Sequence, residues 1–242
     1  MIEPGGKAAI LIGMAKTAEL AGNNVEAISY YNRVLEDDPT ASEAWLGKGR
    51  AAGWMSTLAN IRLKETTVAF GHAIAAAGDA REEIARQALE ALAAIGSAVK
   101  DMGWQHYFDF PGVPGVWETN VAVQTAVLDA QLSSDEWEVD HPAALALTIA
   151  TAKQLLDHGG APHAESYARA MFDHAVRRMR TIDPAYVPPP LAETTIVDRV
   201  AADTKKQIQQ VQSQNDLEAA GYISVFVLLV IVGLVILLAK SQ

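Results

Sequence analysis

Residues 26–39, Glu26-Ala27-Ile28-Ser29-Tyr30-Tyr31-Asn32-Arg33-Val34-Leu35-Glu36-Asp37-Asp38-Pro39, decide the class of fold. Their apolar side chains recur at helical spacing, and the run stops where Asp37-Asp38-Pro39-Thr40 begins. Proline cannot continue a helix, and it pushes the residue before it out of helical geometry. Upstream, Gly22-Asn23-Asn24 ends one helix and starts this one; downstream, Ser42 with Glu43 opens another. Two antiparallel helices thus occupy about 34 residues, a period that predicts an all-α fold built from helical hairpins.

Here the chain resembles the tetratricopeptide repeat family. Ala27 falls at that family's small position where helices touch, Tyr31 at its aromatic position, Val34 and Leu35 at its core pair, Pro39 at its closing proline and Gly22 in its interhelix turn. The next unit begins with Trp45 and Gly49 at the family's aromatic and small positions and continues with Phe70, Ala73 and Ile74. This unit departs from the pattern by an insertion of about five residues around Thr57-Leu58-Ala59-Asn60-Ile61 and by lacking a closing proline at Gly78-Asp79. The first unit has Leu11 and Ala15 where Trp and Gly are usual. The likeness covers residues 8 to about 78, roughly 30% of the chain, and the helix at 80–100 is either the next first helix or a cap.

After Lys100 the texture changes. Residues 103–117 (GWQHYFDFPGVPGVW) place Trp104, Tyr107, Phe108, Phe110 and Trp117 among two Pro-Gly-type breaks. They read either as a loop folding its aromatics onto the helices or as a contact surface for a partner or the membrane interface. Three more helices are predicted at about 117–132, 142–157 and 162–181, the second opened by Asp140-His141-Pro142 as a cap followed by a first-turn proline. The expected organisation is therefore repeats over 1–102, the aromatic loop and further helices over 103–187, a proline-rich break and polar stalk over 188–218, and a transmembrane helix over 219–240. Val187-Pro188-Pro189-Pro190 makes the break stiff and extended. Val197, Ala201, Thr204, Ile208 and Val211 then recur at heptad spacing over two heptads, fitting either a solvated stalk helix or a short coiled coil.

From Ala219 to Ala239 stand 21 residues without a charge, followed by Lys240-Ser241-Gln242. As a helix this stretch is about 30 Å long, the thickness of a bilayer's hydrocarbon core. It predicts a single-pass anchor whose landmarks are Tyr222, Phe226, Gly233 and Lys240, with Gly221, Ser224 and Gly233 as its small residues besides alanine, and no G-x-x-x-G face for self-association. The opening residues, MIEPGGKAAILIGMAK, lack a charged n-region and do not read as a secretory signal. The expectation is a tail-anchored protein with its head in the cytoplasm.

The 218 residues before the anchor hold all 29 acidic side chains and 18 of the 19 basic ones, so the head carries 18 − 29 = −11. Such a head is repelled by nucleic acid and anionic lipid, which argues against nucleic acid as a partner. With no cysteine there is no disulfide, thiolate metal site or cysteine nucleophile. Gly47-Lys48-Gly49-Arg50-Ala51-Ala52 matches a dinucleotide fingerprint in letters only, because Ser42-Glu43-Ala44-Trp45-Leu46 before it starts a helix instead of ending a strand. Close helix packing explains those glycines. His72, His106, His141, His158, His163 and His174 show no metal-ligand spacing, and Glu82-Glu83 and Asp135-Glu136 sit where first-turn acids complement a helix dipole. No cofactor, metal or catalytic residue is expected, and an enzyme is not the reading.

The resemblance implies a scaffold or adaptor that binds partner proteins on a concave face lined by the first helix of each unit. The positions it nominates here are Ile12, Lys16 and Glu19 from the first unit and Glu43, Arg50 and Trp54 from the second. The basic clamp some members use for C-terminal carboxylates is missing, since Ile12 and Gly47 stand at the matching places. The alternative is a structural accessory subunit of a larger membrane complex, held chiefly through its stalk and anchor.

Overall fold

A computed structural model describes residues 4–159 and 162–192. Among these the chain is α-helical, with no strand and a single isolated bridge between Thr57 and Asn60. Eight helices follow in order: α1 (Pro4–Leu20), α2 (Asn24–Asp37), α3 (Ser42–Trp54), α4 (Leu63–Ala76), α5 (Arg81–Asp109), α6 (Val116–Ser133), α7 (Pro142–His158) and α8 (Pro162–Ile182). Met1–Leu191 form one compact unit, and the chain from Ala192 on separates as a second, of which only Ala192 is described. The stalk residues beyond Ala192 and the anchor landmarks Tyr222, Phe226, Gly233 and Lys240 lie outside the described residues. No helix among the described residues is long and apolar enough to cross a membrane.

Local chemistry sets the first hairpin. Gly22 takes φ +74°, the left-handed turn that glycine adopts without a Cβ clash. Around it the Asn23 amide donates to the Ala18 carbonyl (2.8 Å) and the Gly22 amide to the Glu19 carbonyl (2.9 Å), which uses up carbonyls at the end of α1. Asn23 then caps α2: its side chain accepts from the Glu26 amide and donates to the Glu26 carboxylate. At the far end Asp38, directly before Pro39, is extended (φ −141°, ψ 93°). α3 opens at Ser42, with Glu43 in its first turn, as expected. Ala41 is the cap residue and makes no side-chain cap bond, while Ser42 donates to the Ala73 carbonyl of α4 (2.7 Å) and so ties the two helices together.

The helices pair in sequence as four antiparallel hairpins, α1–α2, α3–α4, α5–α6 and α7–α8, each packed on the next. Lys7 at the start of α1 meets Asp37 at the end of α2, which fixes the first pair's direction. α5 is thus a first helix that pairs with α6, not a terminal cap. The fold requires glycines where helices cross. A Cβ at Gly49 would stand 2.6 Å from the Phe70 ring, one at Gly53 2.7 Å from Ile95, and one at Gly103 2.9 Å from Val123. The letters that imitate a nucleotide loop are therefore packing contacts inside α3.

The main correction concerns residues 103–117. They are not one loop: α5 runs on through Asp109, carrying Trp104, Tyr107 and Phe108, and only 110–115 form turns before α6. The boundary drawn between 102 and 103 falls inside this helix. The α7 start is corrected too. Pro142 does stand in the first turn, but His141 is the cap residue without a side-chain cap bond, and the Asp140 carboxylate is held by Arg178.

Candidate functional site

α1 and α3 run side by side, and between their C-terminal halves lies an open groove of about 650 Å³ lined by Lys16, Glu19, Leu20, Gly22, Asn24, Arg50 and Trp54. Four of the six positions expected to bind a partner, Lys16, Glu19, Arg50 and Trp54, converge there. Glu43 does not line the groove but binds Lys16 from α3 (2.5 Å). Ile12 packs into the α1–α2 core instead.

The groove's charges are matched internally. Glu19 accepts from the Arg50 guanidinium (3.1 Å) and from the Tyr31 hydroxyl (2.9 Å), so one carboxylate joins α1, α2 and α3. Tyr31 is fully buried beneath the groove, its ring against Gly47. The Lys16–Glu43 pair is half exposed on both sides, the kind of pair that adds little stability. Beside that pair the groove presents two large apolar side chains to solvent. Trp54, the last residue of α3, is 52% exposed, and Leu20, the last of α1, is 91% exposed.

Burial, reinforced by the Glu19 carboxylate, pushes the Tyr31 hydroxyl well above the ordinary tyrosine range. Burial and the hydrogen bond to Asp129 (2.7 Å) do the same for Tyr167. The folded state therefore holds these two protons more tightly than the unfolded chain. Their contribution to stability is fully present below the unfolded tyrosine value, about pH 10, and is lost as pH rises through the higher folded values. Phenolate absorbance should show Tyr31 and Tyr167 ionising only as the helical signal collapses, and Tyr31→Phe should remove one late step. Ionisation of both at the ordinary value with helicity retained would contradict this.

The five aromatics nominated as a contact surface divide. Trp104 is buried and forms the hub of a ring cluster with Tyr107 (5.8 Å), Trp117 (5.9 Å) and His158 (4.7 Å), whereas Phe108 and Phe110 remain more than half or half exposed.

Two features have no local signal in the sequence. α6 and α8 frame a second open groove, about 720 Å³, whose largely apolar wall includes Trp117, Val121, Ala122, Ala126, Ala164 and Tyr167. Between the same hairpins Asp135 binds both His174 (2.8 Å) and Arg178, and Arg178 also reaches Asp140. Asp135 is therefore a tertiary link as well as a first-turn acid. The partners stand 38 to 43 residues apart, so only folding brings them together. The remaining histidines mostly serve as rings: His72 stacks on Trp45 (4.6 Å) and His106 sits against Phe110 (5.1 Å). Among the described residues, no three His, Asp or Glu side chains converge as metal ligands. No protein-family model matches this sequence, and neither curated proteins nor solved structures provide a match.

Proposed function

We propose that this protein is a membrane-anchored adaptor of the tetratricopeptide-like kind, whose α1–α3 groove takes a protein partner while the 219–240 segment holds the chain in a bilayer. The observation that carries the reading is the meeting of Lys16, Glu19, Arg50 and Trp54 around one groove. Because Lys16 and Arg50 are already matched by Glu43 and Glu19, the energetic anchor in this reading is apolar. Trp54 and Leu20 fill pockets on the partner, and the ion pairs hold the helices that present them. An acidic head of this kind stays away from nucleic acid and meets proteins.

Full-length protein extracted in mild detergent, with identification of what co-purifies, tests this. Trp54→Ala, alone or with Leu20→Ala, should lower recovery of the partner about tenfold or more while leaving helicity unchanged, since both side chains stand in solvent. Unchanged recovery sinks the groove. The second reading, a structural accessory subunit held in a membrane complex chiefly through its stalk and anchor, gains a further contact face in the apolar α6–α8 groove. It expects the loss from Ala122→Arg instead, a substitution at an exposed position of that groove.

A further inference from the structure

The end of α5 and the short connection to α6 bring three large apolar side chains into solvent at one place. Phe108 is 63% exposed, Phe110 50% and Val113 52%. From Phe110 to Trp117 the sequence FPGVPGVW carries no charge. The turn is built, not slack. The Val113 amide donates to the Phe110 carbonyl and the Val116 amide to the Val113 carbonyl (both 3.3 Å). Gly112 and Gly115 supply φ of +81° and +84°, and Pro111 and Pro114 fix their own φ and restrict Phe110 and Val113 before them. Underneath, Phe108 stacks on the buried Trp104 (5.7 Å), itself wedged among Tyr107, Trp117 and His158. The ring cluster is thus a rigid base that holds an apolar tip outward.

We propose that this tip, Phe108, Phe110 and Val113, dips into the interface of a zwitterionic bilayer. Uncharged turns bearing exposed phenylalanine gain by leaving water for the headgroup and acyl boundary. Asp109 and Glu118, which flank the turn in a head of charge −11, oppose an anionic surface and select a neutral one. The inference rests on reading 219–239 as a membrane anchor, because tethering makes a weak interfacial contact an intramolecular one. Between Leu191 and Ala219 lie 27 residues, enough to reach up to about 90 Å when extended. A domain of about 190 residues has a radius of gyration of roughly 16 Å, so the tether lets the tip find the surface.

Because the chain has no cysteine, single labels can be placed cleanly. Full-length Val113→Cys and, as control, Leu20→Cys would each carry an environment-sensitive fluorophore and be reconstituted in phosphatidylcholine vesicles, with flotation reporting on the anchor. The Val113 label should shift to the blue and be quenched at least about twofold by nitroxide-bearing lipid, the Leu20 label should do neither, and Phe108→Ser with Phe110→Ser should abolish the effect. If the protein floats with the vesicles but the Val113 label behaves like the Leu20 label, the tip proposal fails and the anchor stands. A blue shift without lipid quenching would mean protein covers the tip, which also overturns it. Failure to float removes the anchor and the tip together.

Discussion

Gly47→Ala should destabilise the helical head by about 3 kcal/mol. The added Cβ would stand 2.1 Å from Tyr31 Cζ and 2.4 Å from its oxygen, far inside van der Waals contact. A ring at the end of a side chain can usually swing aside. Tyr31 cannot do so freely, because it has no exposed surface and its hydroxyl is held by Glu19, which in turn holds Arg50. Relief therefore means separating α2 from α3 or abandoning the Glu19 bonds. For a unit of this size the loss corresponds to a fall in Tm of roughly 6–12 °C. Gly71→Ala is the matched control. It lies inside α4 with nothing within 4 Å of the added Cβ, so it should gain about 0.5–1 kcal/mol from helix propensity alone. Thermal and denaturant unfolding followed by circular dichroism decide the matter. If the two alanine variants move in the same direction, the close approach of α2 and α3 is not a constraint. In a Tyr31→Ala background, already weakened by its own cavity, the Gly47→Ala penalty should vanish, since the ring it strikes is gone.

Phe70→Ala should cost about 3–5 kcal/mol, the largest expected effect of a single truncation here. Phe70 has no exposed surface, lies against Gly49 of α3, and meets Trp137 edge to face at 6.1 Å. It therefore joins the second hairpin to the turn that follows α6. Its removal opens a cavity bounded by two backbones that are already as close as Gly49 allows, which limits how far the site can collapse. Trp137, 6% exposed, should report the change by a red shift in its emission. Val68→Ala, on the solvent side of the same helix at 54% exposure, should stay within about 0.5 kcal/mol of the original. Equal stability of the Phe70 and Val68 variants would show that the second and third hairpins are not coupled through this ring.

Much of the helix plan was legible because its punctuation is local. Gly22, Asn23, Pro39 and Pro142 act on their own backbone or on residues a turn away, so α2 and α7 begin or end where those letters stand. The helices expected at about 117–132, 142–157 and 162–181 occupy 116–133, 142–158 and 162–182. The end of α5 was not legible. Aromatic and glycine-containing sequence has only middling helix propensity, and residues 103–109 are helical because Gly103 lets α5 approach Val123 of α6 and Trp104 is buried in the ring cluster. Propensity yielded to packing. Asp140 shows the same limit, since it reads as a cap yet its side chain goes to a distant partner, Arg178.

The candidate site divides in the same way. The helical class of the described residues, the breaks between their helices, the acidity of residues 1–218, the absence of cysteine and the uncharged run from Ala219 to Ala239 were all legible in the sequence, because each depends on neighbours in the chain or on composition alone. Only the tertiary structure decided that Lys16 and Arg50 are already matched by acids 27 and 31 residues away, that Trp54 and Leu20 stay exposed beside them, and that of five aromatics near the α5–α6 turn Trp104 is buried while Phe108 and Phe110 face solvent. Charge pairing and burial are properties of which helices lie against one another. Side-chain type says what a residue can do, and the packing of distant segments settles whether water or protein receives it.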